Sequence, residues 1–173
     1  MYYSKNDDME HAREGIFKYL QDNNIPKHQG EEVLAHCLNL IRNTDKVRRM
    51  ADNLGLELSE FKSNKALEFY YEIKKEDRHI CVIYKGWDDS GFRLSEILTC
   101  HPKNIELIKE NIGKALDTCA NNGIALGFDP SGETLGIELA INIYEDGFNT
   151  GVLNEALKTM ESTANKIKSL ITN

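Results

Sequence analysis

No apolar run in this 173-residue chain approaches the roughly 20 residues a membrane-spanning helix needs. The start, Met1-Tyr2-Tyr3-Ser4-Lys5-Asn6-Asp7-Asp8, is polar and acidic and has no export-type apolar core, which points to a cytoplasmic protein without membrane insertion. Basic residues are in deficit: 21 Lys and Arg stand against 28 Asp and Glu, a formal charge of −7. A duplex-binding surface displaces counterions with cations. The balance therefore argues against nucleic acid and favours a basic or amphipathic protein partner. The cysteines, Cys37, Cys81, Cys100 and Cys119, include no Cys-x-x-Cys pair and read as small apolar side chains in a reducing compartment. The chain also has no Walker loop, dinucleotide glycine fingerprint, Gly-x-Ser-x-Gly or His-Glu-x-x-His. Its carboxylates read as solvated faces. No catalytic residue, cofactor or metal ligand set is implied, so the expectation is a protein that is not an enzyme.

What is present is two periodicities in sequence. Residues 7–22 carry Ile16, Phe17, Tyr19 and Leu20 at helical spacing, and Asn23-Asn24-Ile25-Pro26 ends that pattern. A second helix is predicted from Val33, Leu34, Cys37, Leu38, Leu40 and Ile41. Asn43-Thr44-Asp45 is read as its end and as the cap of a third, short helix carrying Val47, Met50, Ala51 and Leu54, stopped at Gly55. From Leu67 the period becomes two. Three strands are predicted, through Leu67/Phe69/Tyr71/Ile73, Ile80/Val82/Tyr84 and Phe92/Leu94/Leu98/Cys100, with Glu96 breaking the third stripe. A helix from Pro102 to about Ala120 carries Ile105, Ile108, Ile112, Leu116 and Cys119 on one side, and Asn121-Asn122-Gly123 ends it.

The stretch "ALGFDPSGETLGIELAINI" decides between a chemical loop and a fold-back. Asp129, Pro130, Ser131 and Gly132 are the favoured residues of the four positions of a type I turn. Beyond them Leu135, Ile137, Leu139, Ile141 and Ile143 alternate without a fault, so the stretch reads as a hairpin. A hard-cation role for Asp129 and Glu133 would need more oxygen ligands than two. The other face, Thr134, Gly136, Glu138, Ala140 and Asn142, is small and polar and reads as a subunit contact or a solvated face. A final helix begins near Asn149 or Thr150 and carries Leu153, Ala156, Leu157, Met160, Ala164 and Ile167.

Two chemical readings remain. His36-Cys37, His79-Ile80-Cys81 and Cys100-His101 invite zinc or a thiol nucleophile, but the adjacent Cys100 and His101 would point to opposite strand faces, and His79 and Cys81, which share a face, would need distant partners. "VRRMADNLGLELSEFKSNKALEF" has helix-turn-helix spacing, yet the alternation from Leu67 leaves no room for a recognition helix.

The fold class is therefore α+β: α-β-β-β-α-β-β-α with an antiparallel sheet packed by helices, preceded by two extra N-terminal helices. Residues 1–43 read as a helical extension and residues 44–173 as the main domain. From Asp45 onward this order resembles the class I type III secretion chaperones, the Tir-chaperone-like family. The carriers are "VRRMADNLGLELSEF", the meander, and "NNGIALGFDPSGETLGIELAINIYEDGFNTGVLNEALKTMESTANKI". The layout is also similar to the YbjN-like proteins, which would make it an interaction or regulatory domain of undefined role. The chaperone resemblance implies a homodimer that holds the N-terminal segment of a secreted effector in extended form, using a sheet edge and apolar grooves. It implies client binding by Val47, Met50, Leu54, Leu56, Phe61, Phe69 and Tyr71. It implies a dimer contact through Ile105, Ile108, Ile112 and Leu116 together with the long strand. Plain core burial is the competing reading of both sets.

Overall fold

A computed structural model describes residues 5–60, 67–86, 90–129 and 135–171. The chain divides into two compact units, Met1–Asn43 and Thr44–Asn173. The elements are α1 (Lys5–Asp22), α2 (Lys27–Asn53), β1 (Glu57–Glu60), β2 (Leu67–Lys75), β3 (Arg78–Gly86), β4 (Gly91–Cys100), α3 (Ile105–Asn121), β5 (Ala125–Asp129), β6 (Leu135–Tyr144) and α4 (Thr150–Ile171).

The strands form an antiparallel sheet of order β1-β2-β3-β4-β6-β5, six strands among the described residues. The architecture is α+β, as the change of period requires. Two details differ from the sequence reading. The segments at 27–43 and 45–54 are one helix, because Asn43-Thr44-Asp45 holds neither Pro nor Gly, and polar residues weaken a helix interior by only a few tenths of a kcal/mol each. An additional four-residue strand, β1, precedes the meander and pairs with β2 from Glu57↔Lys74 to Glu60↔Tyr71.

Local chemistry sets the element ends. Helix α2 closes in a Schellman motif: Leu56 N–H reaches Ala51 O at 2.9 Å, Gly55 N–H reaches Asp52 O at 3.1 Å, and Gly55 takes φ +64°. Helix α3 closes in the same way through Ile124 N–H to Cys119 O, with Gly123 at φ +65°. Asn149 Oδ1 accepts from Val152 N at 3.1 Å and caps α4. The β2–β3 turn places both Glu76 and Asp77 at positive φ, the two-residue hairpin geometry that matches strand twist. The turn expected at 129–132 lies largely outside the described residues, but the β5–β6 pairing it would join is present, from Ala125↔Ala140 to Asp129↔Gly136.

One sheet face carries the core of residues 44–173. On β4 Phe92, Leu94, Leu98 and Cys100 are buried, and on β6 Ile137, Leu139 and Ile143. The register pairs Phe92 with Ile143, Leu94 with Ile141 and Leu98 with Ile137, so these side chains share one face. Against it pack Leu153, Leu157, Met160, Ala164 and Ile167 of α4, all buried. Burial of each large apolar side chain is worth roughly 1.5–3 kcal/mol before ordering entropy. The last turns of α2 belong to the same core through Val47, Met50 and Ala51. Phe148 stacks on Phe92 with ring centroids 4.0 Å apart, and Lys46 Nζ lies 5.5 Å above the Phe148 ring.

Residues 5–43 are a helical hairpin. Its helices approach so closely at Gly30 that a Cβ there would meet Leu20 Cδ1 at 2.9 Å. Ile16, Phe17, Tyr19, Val33, Leu38 and Ile41 remain exposed on it.

Ile137 is 2% exposed in the middle of the shared apolar face. Ile137→Asp places a charge where nothing pairs it. We expect loss of at least about 3 kcal/mol at neutral pH, measured by urea unfolding; a change below about 0.5 kcal/mol would mean that this face is not core.

Candidate functional site

The residues singled out for client binding fall mainly in the core. Val47 (0% exposed), Met50 and Tyr71 are buried, Leu56 sits at the limit of burial, and Leu54 is half-buried. Phe69 lies on β2 with its side chain outside the described residues, and Phe61 lies outside them altogether. Arg48 explains part of this burial, since its Nη2 donates to Tyr71 Oη at 3.4 Å. These side chains come together, but as packing between α2 and the sheet. The α3 set divides differently. Ile108 is buried and Ile112 half-buried, whereas Ile105 is 37% and Leu116 49% exposed.

Ile105, Ile112 and Leu116 recur at spacings of seven and four, so they line one stripe of α3. Helix α3 contacts β5, where Phe128 is 47% exposed. Strand β5 is terminal in the sheet, so its outer backbone edge meets no strand among the described residues. An unpaired edge beside exposed large apolar side chains is a standing template for another chain.

A second cluster was not foreseen, because Glu96 reads from sequence as an interruption of the β4 stripe. It sits in register opposite Leu139, on the face covered by α4, and is 8% exposed. His79 sets Nε2 2.8 Å from Glu96 Oε2 and Nδ1 2.9 Å from Glu72 Oε1. Lys74 Nζ lies 3.0 Å from Glu72 Oε2, and Lys168 Nζ of α4 lies 3.7 Å from Glu96 Oε1. Arg78 pairs with Glu161 alongside. The result is a chain of paired side chains, Lys74–Glu72–His79–Glu96–Lys168, that ties the β2–β3 hairpin to β4 and α4. Hydrogen bonds from Lys74 and then His79 hold the Glu72 carboxyl below the ordinary carboxylate range.

This arrangement also answers the zinc reading. The β2–β3 register shifts after Ile73↔Cys81, so that Lys74 faces His79 and Ile80 is passed over. His79 thereby leaves the alternation that would set it beside Cys81. His101 is exposed, its Nδ1 accepting from Lys103 N. Among the described residues no group of three His, Cys, Asp or Glu is placed to hold a metal ion.

Burial pushes the thiols of Cys81, Cys100 and Cys119 up, with the Glu96 charge adding to the effect at Cys81. Such groups stay protonated at neutral pH and are poor nucleophiles. The helix-turn-helix reading fails on geometry: α2 ends at Asn53 and strands β1 and β2 follow where a recognition helix would lie.

On the open face, Glu138 Oε1 accepts from Ser95 Oγ at 2.8 Å and from Arg93 Nη2 at 3.1 Å. Tyr70 packs edge-on against Tyr84 at 5.7 Å, and burial, then Glu138 and Glu72, push its hydroxyl up. This face is therefore not a bare solvated surface.

Two outcomes check these assignments. Under native conditions an alkylating reagent should modify Cys37, which is exposed, and leave Cys81, Cys100 and Cys119 intact; mass spectrometry of the folded protein reads this directly, and rapid labelling of a buried thiol would contradict it. Glu72 has a lowered folded-state pKa, so its stabilisation is present above the unfolded value of about 4.3 and is lost as pH falls through the lower folded value. The stability difference between wild type and Glu72→Gln should therefore shrink as pH falls below about 4. Urea midpoints between about pH 5 and 3 measure it, and a difference that grows across that interval would reverse the assigned sign.

No protein-family model and no curated protein sequence matches the chain. Among solved structures, the chain is similar to an uncharacterized protein from Methanothermobacter thermautotrophicus, with a TM-score of 0.61 and 15% identity over 73% of this chain and 94% of the other. It is also similar to YbjN from E. coli, a proposed transcription regulator, with a TM-score of 0.50 and 12% identity over 74% of this chain and 87% of the other. At these identities the likeness is one of fold: the chain shares the YbjN architecture.

Proposed function

We propose that this chain is a non-enzymatic binding module that holds an extended segment of another polypeptide. The observation that carries the reading is the terminal strand β5, unpaired on its outer side among the described residues and carrying the exposed Phe128. Main-chain amides on such an edge supply affinity, and the neighbouring apolar side chains supply preference for alternate residues of the bound strand. The burial of Cys81, Cys100 and Cys119 and the two carboxylate partners of His79 support the same reading, since none of these thiols stands ready beside a free base.

The finer reading is a secretion-chaperone-like homodimer acting on a secreted effector, with the α3 stripe as the subunit contact. The resemblance of element order and the net charge of −7 support it. A second reading is a YbjN-like regulatory domain that works through a protein partner, favoured by the shared fold with YbjN.

The test has two arms. Affinity capture with the full chain identifies a partner, and the purified N-terminal segment of that partner is then titrated against it. Saturable binding of that segment in unfolded form supports the chaperone reading. Binding of a folded partner supports the regulatory one, and a measured turnover of any substrate overturns both. The subunit contact is read separately by light scattering. Ile105→Glu with Leu116→Glu alters exposed positions and should shift stability by no more than about 0.5 kcal/mol each. If wild type is a dimer and the double variant a monomer, α3 is the contact; a dimer that survives both changes places it elsewhere.

A further inference from the structure

Three strands place a row of polar side chains on the sheet face opposite the core. Tyr84 of β3 stands in register with Arg93 of β4, and Arg93 with Asn142 of β6. Two residues along, Gly91 faces Tyr144. Strand alternation keeps Gly91, Arg93, Asn142 and Tyr144 on the same side. Among them lies a cavity of about 320 Å3, lined by Tyr84, Ser90, Gly91, Arg93, Asn142 and Tyr144, with Phe92 and Ile143 beneath.

Gly91 keeps this cavity open. A Cβ there would meet Ile143 O at 2.2 Å, so the close approach of β4 and β6 admits no side chain. The position opposite Tyr144 and diagonal to Tyr84 is therefore left empty of side chain. Tyr84 is backed edge-on by Tyr70 at 5.7 Å, and Tyr144 is 75% exposed. Two aromatic side chains thus bracket a space at the small end of the range for ligand pockets, which suits one further ring.

Arg93 sets the charge. It is the charged residue among those lining the cavity, and Glu138 and Glu145 stand outside the lining. A guanidinium carries five donors in a planar fork. Glu138 Oε1 takes Nη2 at 3.1 Å, whereas Nε is enclosed and meets no acceptor among the described residues. A buried donor left without a partner is unfavourable. A carboxylate, whose two oxygens match the fork, is the group best suited to answer this guanidinium. Asn142, exposed beside Arg93, adds an amide donor.

We propose that this cavity is a binding site for an aromatic carboxylate. The carboxylate pairs with Arg93 and Asn142, and the ring lies over Gly91 between Tyr84 and Tyr144. A small aromatic acid and the C-terminal residue of a peptide ending in Phe or Tyr offer the same chemistry. The site draws on β3, β4 and β6 and not on β5, so it stands or falls independently of the binding reading above.

NMR titrations of the full chain test this. The probe is N-acetylphenylalanine. It is compared with N-acetylphenylalaninamide, which keeps the ring and loses the charge, and with acetate, which keeps the charge and loses the ring. The acid should shift the amides of Gly91, Arg93, Asn142 and Tyr144 and the Arg93 Nε–H in a saturable way. Both comparators should bind at least about tenfold more weakly. Arg93→Gln should weaken the acid by a similar factor. Because that change also deprives Glu138 of a partner, Asn142→Ala and Tyr144→Ala, at exposed positions, serve as second variants. Each should weaken the acid at least about threefold while leaving the unfolding midpoint unchanged. Acetyl-Gly-Gly-Phe separates the two sources. Affinity about tenfold above that of N-acetylphenylalanine assigns the site to a chain terminus, and equal affinity assigns it to a small acid; either supports the site. Absence of shifts at these residues with the acid at about 10 mM, above the millimolar range expected of so small a ligand, would overturn it. So would equal binding of the acid and its amide, full affinity in both exposed variants, or shifts confined to Ala125–Asp129 and α3.

Discussion

The ten-residue ladder between β4 and β6, from Gly91↔Tyr144 to Cys100↔Leu135, is the constraint on which residues 44–173 depend. It joins the meander β1–β4 to the β5–β6 hairpin, and its register puts Phe92, Leu94, Leu98, Ile137, Leu139 and Ile143 on one side. A one-residue slip of either strand would turn that strand's apolar set away from the core. Helix α4 can cover the sheet because that stripe is apolar but for one residue, and the same register puts Ser95, Glu138 and Ala140 on the other face beside the exposed Ile97. The partition into a packed side and an open side is thus a consequence of strand register.

Within that stripe Glu96 is the exception that needs an account. A carboxylate 8% exposed on a helix-covered face is expensive unless it is paired. His79 and Lys168 supply the pairing from a hairpin end and from α4. Removing one partner from such a group leaves charge uncompensated, whereas the pair itself contributes little net stability. The network therefore acts mainly as a specification: Glu96 is satisfied only when the β2–β3 hairpin, β4 and α4 are all in place.

The period change at Leu67 and the faultless alternation of Leu135 to Ile143 made the sheet and its helical cover legible, because the two periodicities reflect burial of one face. Gly55 and Gly123 marked helix ends for a conformational reason that survives any tertiary context. Asn43-Thr44-Asp45 misled, since capping residues also occur inside helices when no Pro or Gly forbids it. Strand β1 was missed because four residues, Glu57-Leu58-Ser59-Glu60, are too few to establish a period. Glu96 was read as a break because its partners come from elements distant in the chain. The client-binding set shows the deeper limit. Apolar residues at helical spacing, such as Val47 and Met50, mark a face that is covered, and spacing is silent on whether the cover is the same chain or another.

That silence ends where coverage fails. Strands of unequal length produce it at both terminal features of the β5–β6 hairpin: β5 ends the sheet, and β6 outruns β5 by the stretch Ile141–Tyr144. Strand β1, the opposite edge, is short and carries Glu57 and Glu60, the charged form of edge that discourages pairing. Strand β5 has Ala125, Leu126, Gly127 and Phe128 and no such protection before Asp129. The two edges of one sheet are therefore chemically unlike. One is blunted by charge. The other combines unpaired backbone with exposed apolar side chains. An unprotected edge is a liability in a protein that has no use for it, and this asymmetry is what turns a shared fold into an argument for holding another chain.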